Sequence, residues 1–322
     1  MTMEIIEHKS AGHPDSLTDL CVEACATWLD QYYLRKYGHV LHYNVDKAIF
    51  SAGSVRIEFG GGEILRKPTF VLGGQASNVD SEMKRGLADS IRSVVQARVP
   101  RIPSIDVEIR TDSISSNLDH IAQSCRVLCN DTSFGVGYAP FSDAELEVLS
   151  LKNTMDMIIS RRSLPVGEDY KIMSTPDFIS LSAPLFAGAV KNTGQYLEVK
   201  RALELELLPC AVEFNPDYAG GFPYLTLGGS SIECGDDGQV GRGNRYNGLI
   251  TPCRPMTMEA FHGKNNRNHI GKLYSKSAFE RAWTLHHEDG RPVEVMMVGR
   301  IGRPVDEPDV YARYAGGGWN KA

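Results

Sequence analysis

Apolar positions recur along this chain with two different periods, and the switching between them predicts a mixed fold. Leu17, Leu20, Cys21, Ala24, Trp28 and Leu29 follow the spacing of one helix face. They predict a helix that Asp15 or Ser16 can cap, running to about Lys36 and stopped by Gly38. Further helices are predicted over residues 80–97, 118–125, 143–159, 194–207 and 273–283. Strands are expected over residues 40–45, 48–59, 69–72, 170–173, 178–181, 211–214, 224–227 and 293–298. Residues 105–110 alternate apolar and polar as a half-buried strand would. The tail, residues 315–322, holds three consecutive glycines and is expected to be loose. Strands and helices alternate without a strict strand–helix–strand period, so the expected class is α+β, in layers.

Composition changes this picture little. The 322 residues are 42% apolar and 23% charged, as in an ordinary globular chain. The N-terminus carries charge before any apolar run, unlike a signal peptide. The uncharged, largely apolar stretch at residues 178–190 is broken by Ser180, Ser182 and Pro184 and is too short to span a bilayer. Seven cysteines include no Cys-x-x-Cys pair. Cys21 with Cys25, and Cys125 with Cys129, fall four apart and read as small buried residues, as in a reducing cytoplasm.

Charge changes it more. The formal net charge is −6, which argues against a general nucleic-acid binder. Yet residues 242–276 contain Arg242, Arg245, Arg254, Lys264, Arg267, Lys272 and Lys276 against the single acid Glu259. That stretch is also rich in Gly and Asn, so it reads as loop with accessible backbone. Arg forks, Lys point charges and backbone amides on one loop suit a polyphosphate. Immediately upstream lie Glu233, Asp236 and Asp237, so a cation and an anion could bind together, as Mg²⁺ with a nucleotide or an ammonium beside a triphosphate.

Gly12-His13-Pro14-Asp15-Ser16 sets an imidazole and a carboxylate at a helix start, where phosphate is favoured. Asp15 there either holds Mg²⁺ or merely caps the helix. Phe59-Gly60-Gly61-Gly62 is an anion cradle or a turn. Residues 130–138, polar with Gly135 and Gly137, read as a ligand-facing segment before a helix. Gly-x-Ser-x-Gly and a Walker lysine loop are absent, and His286-His287 is not at metal-ligand spacing.

Together these segments resemble the S-adenosylmethionine synthetases (methionine adenosyltransferases) of the archaeal type, along nearly the whole chain. The resemblance runs through Gly12 to Ser16, His42 to Asp46, Phe59 to Gly62, Asn130 to Pro140 and Val166 to Lys171. It continues through Gly235 to Arg245, Gly248 to Met256 and Gly263 to Lys272. It implies three similar α/β subdomains about a pseudo-threefold axis, roughly 1–111, 112–235 and 236–322, interleaved within one module. It implies ATP and L-methionine as substrates, Mg²⁺ with help from K⁺, and a homodimer with active sites at the interface. By resemblance, His13 sits by the departing O5′ oxygen and Asp15 binds Mg²⁺. Lys171, Arg242 and Lys264 hold the triphosphate, with Lys272 a further phosphate contact. Asp131 takes the methionine ammonium, and Asp169 and Asp236 contact substrate. No nucleic-acid or membrane partner is implied.

Three departures stand out. The chain stops soon after Ile301-Gly302-Arg303-Pro304, where the family continues through another strand and helix, so a shortened third subdomain is expected. Gln75 stands where an arginine is usual, and Asn117 where an acid is. Two other readings therefore compete: a relative that cleaves ATP to triphosphate with water or another nucleophile, and a non-catalytic nucleotide-binding subunit.

Overall fold

The first helix, α1 (Pro14–Tyr37), carries both the first core and the main candidate motif. In this computed structural model, which describes residues 3–113, 127–216 and 223–322, its cap is His13 and not Asp15 or Ser16. His13 has extended backbone, and its Nδ1 accepts from the Asp15 N–H at 3.2 Å. The Asp15 carboxylate is drawn elsewhere, to Lys9 and to the backbone of Gln239. Gly38 ends the helix with φ 77°, as its position in the pattern predicts.

α1 packs on α2 (Ser81–Arg98), capped by Asp80. Gly86 leaves room for the Trp28 ring, which a Cβ there would meet at 1.9 Å. Both helices cover a four-stranded sheet ordered Gly238–Gln239, Ala48–Ser51, Thr69–Leu72, Asp106–Ile109. Leu17, Cys21, Cys25, Leu29, Phe50, Phe70, Leu87 and Ile91 form its core. Cys21 and Cys25 are fully buried free thiols, as their spacing suggests.

A second four-stranded sheet is ordered Ile6–Lys9, Lys171–Ser174, Ile179–Ser182, Val212–Phe214. Its helices are α3 (Asp143–Arg161), started by a Ser142–Glu145 capping box, and α4 (Thr193–Glu206). The third sheet is ordered Ser133–Ala139, Val293–Gly299, Asp309–Tyr314, Asn320–Lys321, against α5 (Ile270–Asp289). Each sheet has its own core, so the class is α+β. Each also borrows a strand from far along the chain. Ile6–Lys9 joins residues 171–214, Gly238–Gln239 joins Ala48–Ser51, and Ser133–Ala139 joins Val293–Gly299.

Three expectations need correcting. The stretch 130–138 is mainly strand, the edge strand of the third sheet. Gly135 and Gly137 lie in it because α5 crosses so closely that a Cβ would meet the backbone of Tyr274 and Phe279 at 2.1 and 2.3 Å. The tail is not loose, since residues 320–321 pair with Tyr311 and Ala312 and close the third sheet. The strand expected over residues 48–59 is two strands, the second (Ser54–Glu58) forming a hairpin with Gly61–Arg66, and the glycine triplet spans that turn. The helix predicted over residues 118–125, with Cys125 and Asn117, lies outside the described residues.

Candidate active site

Pairing of Ile6–Lys9 with Lys171–Ser174 sets Lys9 directly opposite Lys171. Like charges across a strand pair repel, so this register costs energy unless anions join it. Glu7, on the same face as Lys9, puts its Oε1 at 3.4 Å from Lys9 Nζ and 3.0 Å from Lys171 Nζ. Lys9 Nζ also meets Asp15 Oδ2 at 2.8 Å and donates to the Arg242 carbonyl at 2.9 Å. Lys9 thus gathers Asp15, Lys171 and the start of the cationic loop at the N-terminus of α1.

His13 stands at that same helix end, half-buried. Burial and the Lys9 charge push its pKa down to about 4, so the ring is neutral near pH 7. Its Nδ1 accepts the Asp15 N–H, which assigns the ring proton to Nε2. The result is a neutral N–H donor facing a cationic neighbourhood.

Asp169 and Asp236 meet at Ser231, whose hydroxyl oxygen lies 2.6 Å from Asp169 Oδ2 and 3.1 Å from Asp236 Oδ2 and has one proton to give to either. Asp169 also accepts the Ser231 N–H at 2.8 Å and is 3% exposed, whereas Asp236 is exposed. Burial pushes the Asp169 carboxyl up to about 7 against the lowering effect of the Ser231 bonds. Gly12 lies against this group, and a Cβ there would strike the Glu168 carbonyl at 2.5 Å.

A second cluster surrounds Lys264. Its ammonium is 1% exposed and paired with Glu259, with Asp46 at 3.7 Å. Burial lowers its pKa to about 8, with Asp46 opposing. Lys272, in the first turn of α5, contacts both oxygens of Glu23 at 2.5 and 2.7 Å. One ligand atom each of Asp131, Glu259 and His269 lie within 4.8 Å of one another. Asp131 is exposed and also accepts the Thr132 N–H at 2.7 Å. Asp46, Glu259 and Lys264 of this second cluster line one open cleft of about 920 Å³ together with Gln239 and Arg242, whereas His13, Asp15, Lys171, Asp169 and Asp236 are not part of its wall.

The loop is docked by a row of acids, of which the sequence reading singled out only Asp15. Asp15, Asp19 and Glu23 fall four apart on one face of α1. Asp15 accepts the Gln239 N–H at 2.9 Å, Asp19 those of Gly241 and Gly243 at 2.7 and 3.1 Å, and Glu23 that of Gly263 at 3.1 Å. The four-residue spacing was available as a signal. Lys9, Glu7, Asp46 and Glu259 are further partners that sequence reasoning missed: Glu7, Lys9 and Asp46 act through pairing between distant segments, and Glu259 through a loop that folds it back on Lys264 five residues away.

Asp15 suits a magnesium ion. Each of its carboxylate oxygens has one protein donor and a further lone pair, and Mg²⁺ binds through one or two carboxylates, waters and phosphates.

Among the described residues, no helix is long and apolar enough to cross a membrane. Residues 1–314 match the family model for S-adenosylmethionine synthetase (AdoMet synthetase). The chain is 36% identical to the S-adenosylmethionine synthase of Aeropyrum pernix, over 98% of this chain and 87% of that one. It is 34% identical to that of Methanosphaera stadtmanae, over 95% and 84%. An S-adenosylmethionine synthetase structure from Campylobacter jejuni shares the fold, with a TM-score of 0.67 at 16% identity, over 98% of this chain and 82% of that one. With a full-length family match, archaeal relatives at this identity and the same fold in a solved structure, this chain belongs to the S-adenosylmethionine synthetase family.

Proposed function

We propose that this chain transfers the adenosyl group of ATP to the sulfur of L-methionine, giving S-adenosylmethionine, pyrophosphate and phosphate. The observation that carries the reading is the convergence of Lys9, Lys171, the Arg242 loop and a neutral His13 at the N-terminus of α1. In-line attack of sulfur on C5′ breaks the C5′–O bond and expels a triphosphate, which water then hydrolyses to pyrophosphate and phosphate. The protein must therefore orient two reactants and stabilise charge growing on the leaving oxygen.

His13 Nε2–H donates to that oxygen, and its lowered pKa keeps it neutral while it does so. Lys171, Arg242 and Lys264 hold the triphosphate, Arg242 and Lys264 from the cleft wall. Asp15 holds Mg²⁺, which neutralises phosphate charge when bound. Mg²⁺ and K⁺ are the ions this family generally uses. Asp131 receives the methionine ammonium, and Asp169 and Asp236 line the substrate side. Lys272 reaches phosphate only by leaving Glu23, so its first role is to fix the end of the loop.

The protein acts as a homodimer in the cytoplasm. Each sheet exposes an apolar side chain at or beside a strand, Ile49 at 43%, Phe134 at 40% and Phe178 at 44%, which suits burial against a second copy. The three sheets correspond to three interleaved subdomains of one module. Incubation with ATP, Mg²⁺ and methionine tests the proposal. Sulfonium product and phosphate should form together, and excess chelator should abolish both. ATP cleavage at full rate without methionine refutes it.

A further inference from the structure

Asp19 sits one turn beyond Asp15 on α1 and is 2% exposed. Its carboxylate accepts the Gly241 N–H at 2.7 Å and the Gly243 N–H at 3.1 Å. From the other side, the Arg245 guanidinium donates to the Gly241 carbonyl, to the Gly243 carbonyl at 2.7 Å and to the Thr257 carbonyl at 3.3 Å. The intervening residue is held as well. Arg242 donates its N–H to the Gln239 carbonyl at 3.3 Å and receives Lys9 Nζ on its own carbonyl at 2.9 Å. The backbone from 241 to 243 is therefore held through both its N–H groups and its carbonyls, while the Arg242 side chain stays exposed on the cleft wall.

The two glycines are part of this clasp. Gly241 has φ 83°, and a Cβ on Gly243 would lie 2.3 Å from Asp19 Oδ2. Burying a carboxylate is costly, and burial pushes Asp19 up to about 7 although the loop amides and Arg245 oppose it. His262 Nδ1, at 3.6 Å, offers little compensation, because burial lowers its pKa to about 4 and leaves the ring neutral. An acid kept at such cost, with both oxygens spent on loop amides, has its work in those amides.

We propose that Asp19 is a positioning residue, fixing the Gly241–Gly243 backbone so that Arg242 projects toward the polyphosphate of the substrate. The inference rests on the reading of Arg242 as a triphosphate contact. Asp19 itself touches no substrate.

Asp19→Asn keeps an oxygen for one amide but turns an NH₂ donor toward the other. Gly243→Ala attacks the same clasp from the loop side and covers the case in which Asp19→Asn does not fold. Each should lower kcat by about 10- to 100-fold and weaken inorganic tripolyphosphate binding in calorimetry, leaving the methionine KM within about twofold, on the scale of losing one oriented charge. In the Arg242→Ala background, either change should add less than about twofold, since a residue acting through Arg242 has nothing left to position. An equal loss in both backgrounds, or tripolyphosphate affinity like wild type in both Asp19→Asn and Gly243→Ala, overturns the inference while leaving Arg242 as a phosphate contact. Unchanged tripolyphosphate affinity in Arg242→Ala alone overturns the phosphate reading and this inference with it.

Discussion

Lys264 and Arg242 lie on the same loop, and their position in the sequence suggests that losing either charge should leave stability alone. The structure separates them. The Arg242 side chain is exposed, so Arg242→Ala should shift stability by no more than about 0.5 kcal/mol. Lys264 is 1% exposed between Glu259 and Asp46. Replacing it with Met keeps most of its volume and removes a cation from both acids. Breaking a fully buried pair costs about 3–5 kcal/mol. Here the Glu259 side chain is 27% exposed and Asp46 keeps Lys47 at 2.7 Å, so a cost somewhat below that range, about 2–3 kcal/mol, is expected. For a chain of this size that is a melting point lower by several degrees. Both variants should slow adenosyl transfer by about 10²-fold or more. Urea unfolding beside steady-state kinetics checks the contrast. A Lys264→Met protein as stable as wild type, or an Arg242→Ala protein destabilised as much, refutes the reasoning.

Asp131→Asn should raise the methionine KM strongly, since an ammonium leaving water needs a carboxylate, with ATP affinity nearly unchanged in calorimetry. Burial raises the Asp169 carboxyl from its ordinary value to about 7, so its contribution to stability is present below pH 4 and lost as pH rises through 7. Asp169→Asn should therefore gain on wild type between pH 4 and 7, by at most about 4 kcal/mol, and a pH-independent difference in urea midpoints would contradict this. Gly137→Ala should cost about 3 kcal/mol or more, because a Cβ would meet the Phe279 backbone at 2.3 Å, and circular dichroism melts should show it.

The periodic elements were legible without the structure because their signals are local. α1 and its Gly38 stop, α2, α3 and the strand Thr69–Leu72 follow from side chains that must share a face. The family motifs were legible too, since the loop's charge and the Gly12–Ser16 run stand out against an acidic chain. What failed was local chemistry with a distant cause. Gly135 and Gly137 look like loop glycines but lie in a strand, because only glycine lets α5 cross that closely. The glycines at 316–318 suggest a loose tail, yet residues 320–321 find a strand edge to pair with.

The sequence by itself determined the long periodic helices and several strands, the family, and the concentration of cations on one loop, all of which depend on neighbours along the chain. Only the tertiary structure decided which of those cations stay free. Lys272 and Lys264 are neutralised by Glu23 and Glu259, and Arg242 is left projecting because Asp19 and Arg245 consume the backbone around it. Those partners lie tens to hundreds of residues apart, except Glu259 and Arg245 beside their own targets. A charge's availability depends on what folding brings within about 4 Å of it, where burial makes each pairing strong and each omission costly.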